Sequence, residues 1–372
     1  MATRPQINPR IVVFSLRNIF NKALFRCAHF EFENVISQID AVEMVAPTLD
    51  PSGLRNQLAA RVAFHLPVAL NPGIEKTSPK AKYDLFFAIC GSARDLLMVN
   101  AVSNWRDVCK KSICLIDELW VKEMAEYPYF LRLLEQFDVI LLYYSQSVGP
   151  LSEKLGLTCN FLPPGLDALH FCPYPELPKR VVDVYSIGRR SENTHLALLR
   201  IAGQDGLFYV HDTIAGDQAI DSTQHRTLFA NIAKRSRYFV VNPGLIDRPE
   251  KRGNQIEIGN RYFEGAASGA IMIGERPNNE EFERLFDWPD ALIHLPYGSS
   301  DIGVLIKELD GQPERQKAIR RANVAQSLLR NDWAYRWEKV LAAGALEPIP
   351  ALFERKQRLQ RTADSVLNSE LM

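Results

Sequence analysis

Short apolar runs alternate along this chain with stretches whose apolar positions recur every three or four residues. Ile11-Val12-Val13-Phe14-Ser15-Leu16 predicts a buried strand, and the spacing from Asn18 to Gln38 predicts a helix after it. The pattern weakens over Val42–Val45 and the amphipathic stretch Leu54–Phe64, and Pro67–Pro79 reads as a proline-punctuated loop. It then returns. Strands are predicted over Tyr83–Cys90, Ser112–Ile116 and Phe137–Tyr143, and helices over Arg94–Cys109, Leu119–Tyr127 and Ser147–Leu155.

A strand at Cys159 runs into Pro163-Pro164-Gly165-Leu166-Asp167, and Pro173, Pro175 and Pro178 stiffen the next stretch of chain. The pattern then restarts with strands over Val181–Ile187, Leu207–Val210 and Tyr238–Gly244, a helix capped by Ser191 and another over Thr223–Ala233. Beyond Gly274 come helices over Asn279–Phe286, Ser299–Leu309, Pro313–Arg330 and Asp332–Leu341, a strand over Ala291–Leu295, and a charged helical tail from Pro348. Alternating βα units imply mostly parallel sheets with helices on both faces, an α/β class. At 372 residues the chain is about right for two domains. The expected divisions are an N-terminal domain over 1–172, a second over 173–341 and a helical tail over 342–372.

Composition narrows the partners. The 44 basic and 44 acidic residues balance, so no global field favours nucleic acid or an anionic membrane. Contact with a membrane is at most peripheral, through the tail. The six cysteines form no C-x-x-C pair and no zinc-like spacing with the histidines, which predicts reduced packing residues and no bound metal. The Met1-Ala2-Thr3-Arg4-Pro5 leader carries no signal-peptide core, so a cytoplasmic location is expected. The turn after the first strand has no G-x-G-x-x-G fingerprint, and no G-x-x-x-x-G-K motif occurs, which disfavours a dinucleotide or P-loop site.

Candidate chemistry centres on Gly259-Asn260-Arg261-Tyr262-Phe263-Glu264-Gly265-Ala266-Ala267-Ser268-Gly269, followed by the apolar Ala270–Ile273. Small residues let a helix approach a sheet, and Gly269 can end it. Glu264 is the one acidic group in this packed unit, and Arg261 shares its face near the helix N-terminus, where free amides favour an anion. A plain surface pair is the bland alternative. In open parallel sheets ligands sit beyond the carboxyl ends of the strands. Asp117, Glu118 and Tyr144 fall there in the first half, Arg189 and Arg190 after Val181–Ile187, and Asn242 after Tyr238 in the second. Asp117 and Glu118 would otherwise charge a helix N-terminus, and His29 would otherwise be a packed or surface histidine.

The Arg261–Gly269 segment resembles the donor-binding helix of GT-B glycosyltransferases, and the form Asn260-Arg261-Tyr262-Phe263-Glu264 resembles the CgeB-like spore-maturation group, a relative of the family-4 enzymes. The Pro164-Gly165-Leu166-Asp167 turn, with Phe171 and Pro173 after it, is similar to their interdomain connection. The resemblance implies two Rossmann-like domains facing across a cleft. It implies that Glu264 holds the ribose hydroxyls of a nucleotide sugar, UDP- or GDP-linked, with Gly259, Asn260, Arg261, Glu257 and Asn242 nearby. Arg189 or Arg190 would face the donor diphosphate. Two positions depart from family 4: Ile256 stands where a sugar-contacting Glu is usual, beside Glu257, and no Lys follows Arg190, His195 being the nearest substitute. The implied activity is metal-independent transfer of a sugar to a hydroxyl of a glycan, protein or small molecule, with retention and with no further cofactor. Inversion would need a base, for which His29, Asp117 and Glu118 are candidates. A catalytically silent nucleotide- or sugar-binding partner protein, or a nucleotide-sugar epimerase or hydrolase, are the alternatives.

Overall fold

The computed structural model describes residues 8–49, 73–213 and 218–369. The amphipathic Leu54–Phe64 stretch and residues 67–72 of the proline loop lie outside the described residues. The chain divides into two compact units. Unit 1 holds the chain to Pro163 with Ala219–Ser222 and Arg336–Phe353, and unit 2 holds Pro164–Gln218, Thr223–Tyr335 and the chain from Glu354.

Unit 1 is built on β1 (Ile11–Phe14), β2 (Val42–Val45), β3 (Tyr83–Cys90), β4 (Cys109–Ile116), β5 (Val139–Leu142) and β6 (Cys159–Phe161), in the order β2-β1-β3-β4-β5-β6. Every pairing is parallel. A parallel sheet covered on both faces needs strands apolar on both sides, which is why β1 and β3 read as continuous runs. Helices α1 (Cys27–Ile39) and α2 (Val148–Leu155) flank it. Phe86, Trp105 and Phe137 stack in its core, with centroids 4.4 and 5.1 Å apart.

Three predicted helices are corrected. Asn18–Gln38 is not continuous: it is a turn at Arg17–Phe20, a 3-10 turn at Leu24–Arg26 and then α1, with Ala23 extended between them. Arg94–Cys109 breaks into Ala93–Asp95, Leu96–Val99 and Trp105–Val108, because Asn104 takes a left-handed conformation (φ 58°) and β4 already starts at Cys109. Leu119–Tyr127 is a 3-10 segment at Val121–Ala125.

Unit 2 carries β7 (Val182–Ser186), β8 (Tyr209–His211), β9 (Ser236–Val241), β10 (Ile271–Gly274) and β11 (Ile293–His294), all parallel, in the order β11-β10-β9-β7-β8. Its longer helices include α3 (Glu192–Asp205), α4 (Ser222–Lys234), α5 (Asn260–Ala267), α6 (Ile302–Asp310) and α7 (Pro313–Arg330). Ser191 caps α3 by accepting from the Thr194 amide. Gly265 lets α5 lie on the sheet, since a Cβ there would stand 3.0 Å from Met272 and Phe239, and Gly269 ends the approach at φ +67°.

The chain closes with α8 (Trp333–Ala343) and α9 (Pro350–Leu367). The tail helix is packed rather than solvated: Leu359, Ala363 and Val366 are fully buried along one stripe. Within unit 2, Arg355 binds Asp332 at 2.8 Å and Asp167 at 2.7 Å, and Asp332 also accepts from the Ala168 amide at 2.9 Å.

Candidate functional site

In a doubly wound sheet the ligand crevice opens where the strand order reverses, at the carboxyl ends of two neighbouring strands whose connections run to opposite sides. In unit 2 that point lies between β7 and β9. The turns leaving them are Gly188-Arg189-Arg190 and Asn242-Pro243-Gly244. The first is shaped by Gly188 (φ +84°), whose amide donates to Asp212 Oδ2 at 2.5 Å. Arg189 pairs with Asp247 at 3.0 Å on the rim. Arg190 donates through Nη2 to the Asp212 carbonyl at 3.0 Å, while its Nη1 is buried with no hydrogen-bond partner among the described residues. A half-buried guanidinium with an unused donor is a ready anion ligand.

Asn242 accepts weakly from the Glu275 amide, at 3.4 Å, and Gly244 donates to the Glu257 carbonyl at 3.2 Å, which ties the β9 turn to the loop ahead of α5. The Glu257 side chain is buried and accepts from Gln255 Nε2 at 2.7 Å. Gly259 is extended at the N-cap of α5 and no side chain caps that helix. The first amides of α5, at Asn260 and Arg261, therefore point past the carboxyl edge of the sheet.

Glu264 is 1% exposed, so the bland surface pair with Arg261 is excluded. Arg261 Nη1 donates to Oε2, and Arg226 Nη1, reaching from α4, donates to Oε1. Burial by itself would raise the Glu264 pKa, but the Arg261 and Arg226 guanidiniums outweigh it and hold the carboxyl below its usual range. Arg226 lies over the rings of Phe171 (4.7 Å) and Phe229 (5.6 Å), and Arg261 over Phe229 (4.6 Å). Sequence reasoning missed Arg226. The signal was present: Arg226, Phe229, Ala230 and Ala233 form the buried face of α4, so a charge occupies a core position of an amphipathic helix.

The surroundings of His195 disfavour a second cation on this edge. Burial, then Arg190 and His211, push its pKa down, and its Nδ1 lies 3.0 Å from the Tyr209 hydroxyl.

In unit 1 the strand order reverses between β1 and β3. Helix α1 brings His29 to the carboxyl end of β3, where Gly91 is needed: a Cβ there would stand 2.8 Å from Arg26 Nη1 and 3.2 Å from His29 Cε1. His29 is 2% exposed, and its Nε2 lies 2.6 Å from Asp117 Oδ2 at the end of β4. Its Nδ1 is buried with no hydrogen-bond partner among the described residues. Asp117 is thus a partner of His29 rather than a helix-end charge. Glu118 is exposed and accepts from Trp120 Nε1 at 3.0 Å, so its carboxylate is not part of that pair. One turn along α1, Glu33 is buried with Ser15 and Arg17; burial raises its pKa against the pull of Arg17 and Ser15.

Among the described residues no group of three or more His, Cys, Asp or Glu could hold a metal ion, and no helix is long and apolar enough to cross a membrane. All six cysteines are free thiols.

Two parallel α/β units, the second with a buried carboxylate on the helix ahead of β10, match a GT-B architecture. Residues 190–342 match the family described as Glycosyl transferase-like. No curated protein matches the chain significantly. Among solved structures, Anabaena HepE in complex with UDP-glucose is 11% identical, with 95% of this chain and 99% of that chain covered at TM-score 0.50. The UDP-forming α,α-trehalose-phosphate synthase from Burkholderia xenovorans is 10% identical, with 91% and 99% covered at TM-score 0.51. An α-glucosyltransferase in complex with UDP and DNA is 9% identical, with 91% and 100% covered at TM-score 0.50. At identities this low the likeness is one of fold.

Proposed function

We propose that this protein is a glycosyltransferase that moves a sugar from a UDP-linked donor to an acceptor hydroxyl, without a bound metal and with retention at the anomeric carbon. The observation that carries the reading is the buried, ionised Glu264 at the first turns of α5, inside the stretch that matches the glycosyl transferase-like family. A carboxylate there is an acceptor for the two ribose hydroxyls of a nucleotide. The uncapped amides of α5 and the Arg190 guanidinium are donors for the diphosphate, and they supply the positive charge that the leaving group gathers as the glycosidic carbon–oxygen bond breaks. Uridine is favoured over guanosine because HepE and the α-glucosyltransferase were solved with UDP-glucose and UDP. The Asn260-Arg261-Tyr262-Phe263-Glu264 form favours the CgeB-like group. Donor recognition is assigned to unit 2 and acceptor recognition to unit 1.

One observation favours a second reading, inversion. With the Nε2 proton donated to Asp117, His29 Nδ1 carries a lone pair that can take the proton of an acceptor hydroxyl. The hydroxyl oxygen then bonds to the anomeric carbon as UDP departs with the electron pair of the broken bond.

Calorimetric titration tests the proposal. Wild-type protein is expected to bind UDP, and Glu264→Gln, which keeps the shape but loses the charge, to bind it about tenfold or more weakly, as for loss of a charge-assisted bond worth about 1.5–3 kcal/mol. Wild-type protein that binds no nucleoside diphosphate overturns it. The anomeric configuration of the product by NMR separates retention from inversion.

A further inference from the structure

The two guanidiniums on Glu264 are not equivalent. Arg226 comes from another helix, its side chain is 8% exposed, and it is clamped over Phe171 and Phe229. Arg261 comes from the same helix as Glu264 and its side chain is 32% exposed. Each takes a different oxygen, Arg226 Oε1 and Arg261 Oε2. We propose that Arg226 is a positioning residue for the donor nucleotide: it anchors Oε1 of Glu264 and keeps the carboxylate charged and aimed, so that Oε2 can exchange the more exposed Arg261 for a ribose hydroxyl. This rests on the proposed nucleotide-sugar site and names the device that keeps it competent. A carboxylate buried this deeply without a fixed partner would take up a proton and become a donor, losing one of the two acceptor oxygens that a pair of hydroxyls needs.

Other charged and titratable groups surround the pair. His225 of α4 and Tyr185 of β7 feel the charges of the pair and of Arg261, Asp212 after β8 acts on both of them, and the His225 pKa is lowered by burial, then by Arg261 and Arg226. Arg226→Met removes one of the charges that lower His225, so the titration of His225 differs between that variant and wild type, and a second variant with the same change is needed as the reference.

The test is UDP affinity as a function of pH, from about 5.5 to 8, by calorimetry on full-length protein. In wild type Glu264 is ionised throughout. In Arg226→Met the ratio of variant to wild-type dissociation constant is expected to grow as pH falls, approaching tenfold per unit below the new Glu264 pKa. Arg226→Lys keeps the positive charge without the fork, so its ratio should stay flat while affinity drops several-fold. The double variant Arg226→Met with Glu264→Gln also lacks Arg226 beside His225 and has no carboxyl to protonate, so growth of the Arg226→Met ratio beyond that of the double variant reports the Glu264 carboxyl, separated from His225 and from loss of packing. If Arg226→Met is not folded, the Lys variant decides: affinity equal to wild type overturns the proposal. A folded Arg226→Met whose ratio grows no more than that of the double variant as pH falls overturns the role of Arg226 and leaves glycosyl transfer standing. Wild-type protein that does not bind UDP takes both down.

Discussion

Replacing Glu264 with Ala should destabilise unit 2 far more than loss of a surface pair would. The Glu264 side chain is 2% exposed and that of Arg226 8% exposed, so solvent screens their attraction little. Removing the carboxylate leaves the Arg226 guanidinium buried without its counter-charge, and breaking one side of a buried pair costs about 3–5 kcal/mol. Arg261 is left less stranded than Arg226, because its side chain is 32% exposed and water can take the place of the carboxylate. Against a typical domain stability of about 5–15 kcal/mol, the loss is roughly a fifth or more of the total. Equilibrium urea unfolding of wild type and variant, followed by circular dichroism, measures it. Replacing both partners, Arg226→Met with Glu264→Leu, should recover most of the loss, because an apolar pair of similar volume carries no stranded charge. A single-variant loss under about 1 kcal/mol would refute the reasoning, since it would mean that the pair is solvated like an ordinary surface pair.

Acid should erase the contribution of Glu264. Its folded pKa lies below the usual range, so its stabilisation is complete above the unfolded value of about 4.3 and is lost as pH falls through the folded pKa. The stability gap between wild type and Glu264→Gln should therefore shrink from pH 6 towards pH 3; a gap that widens contradicts the assigned ionisation. Arg355→Met should cost unit 2 about 3–5 kcal/mol, because Asp332, with no exposed surface, loses its counter-ion; a change in urea midpoint equivalent to less than about 1 kcal/mol would show that Asp332 does not depend on it.

The strands were legible in the sequence because a parallel sheet buried on both faces demands continuous apolar runs, and Tyr83–Cys90 and Ile271–Ile273 are such runs. Glu264 was legible for a related reason: a lone acid among Gly265, Ala266 and Ala267 is out of place in a close-packed helix unless something holds it. The helix over Pro313–Arg330 was legible to the residue, with Pro at its first position. Asn18–Gln38 and Arg94–Cys109 were not, because apolar spacing persists across the breaks, and a spacing argument does not register a chain reversal at Asn21-Lys22 or a left-handed Asn104.

What only the tertiary structure decided is which charges meet. Arg226 finds Glu264 across 38 positions, Asp117 finds His29 across 88, and Arg355 finds Asp167 across 188. Periodicity reports which face of a helix is buried, and local spacing finds partners within one or two turns. The pairing of buried charges depends on how α4 lies against α5 and where the ends of β3 and β4 bring their loops. The sequence by itself determined the alternating strand and helix pattern, the parallel sheets and the lone carboxylate among the small residues of α5. The packing determined that this carboxylate is held from two sides and has no surface to spare, because desolvation makes each buried charge require a partner that the order of residues along the chain does not name.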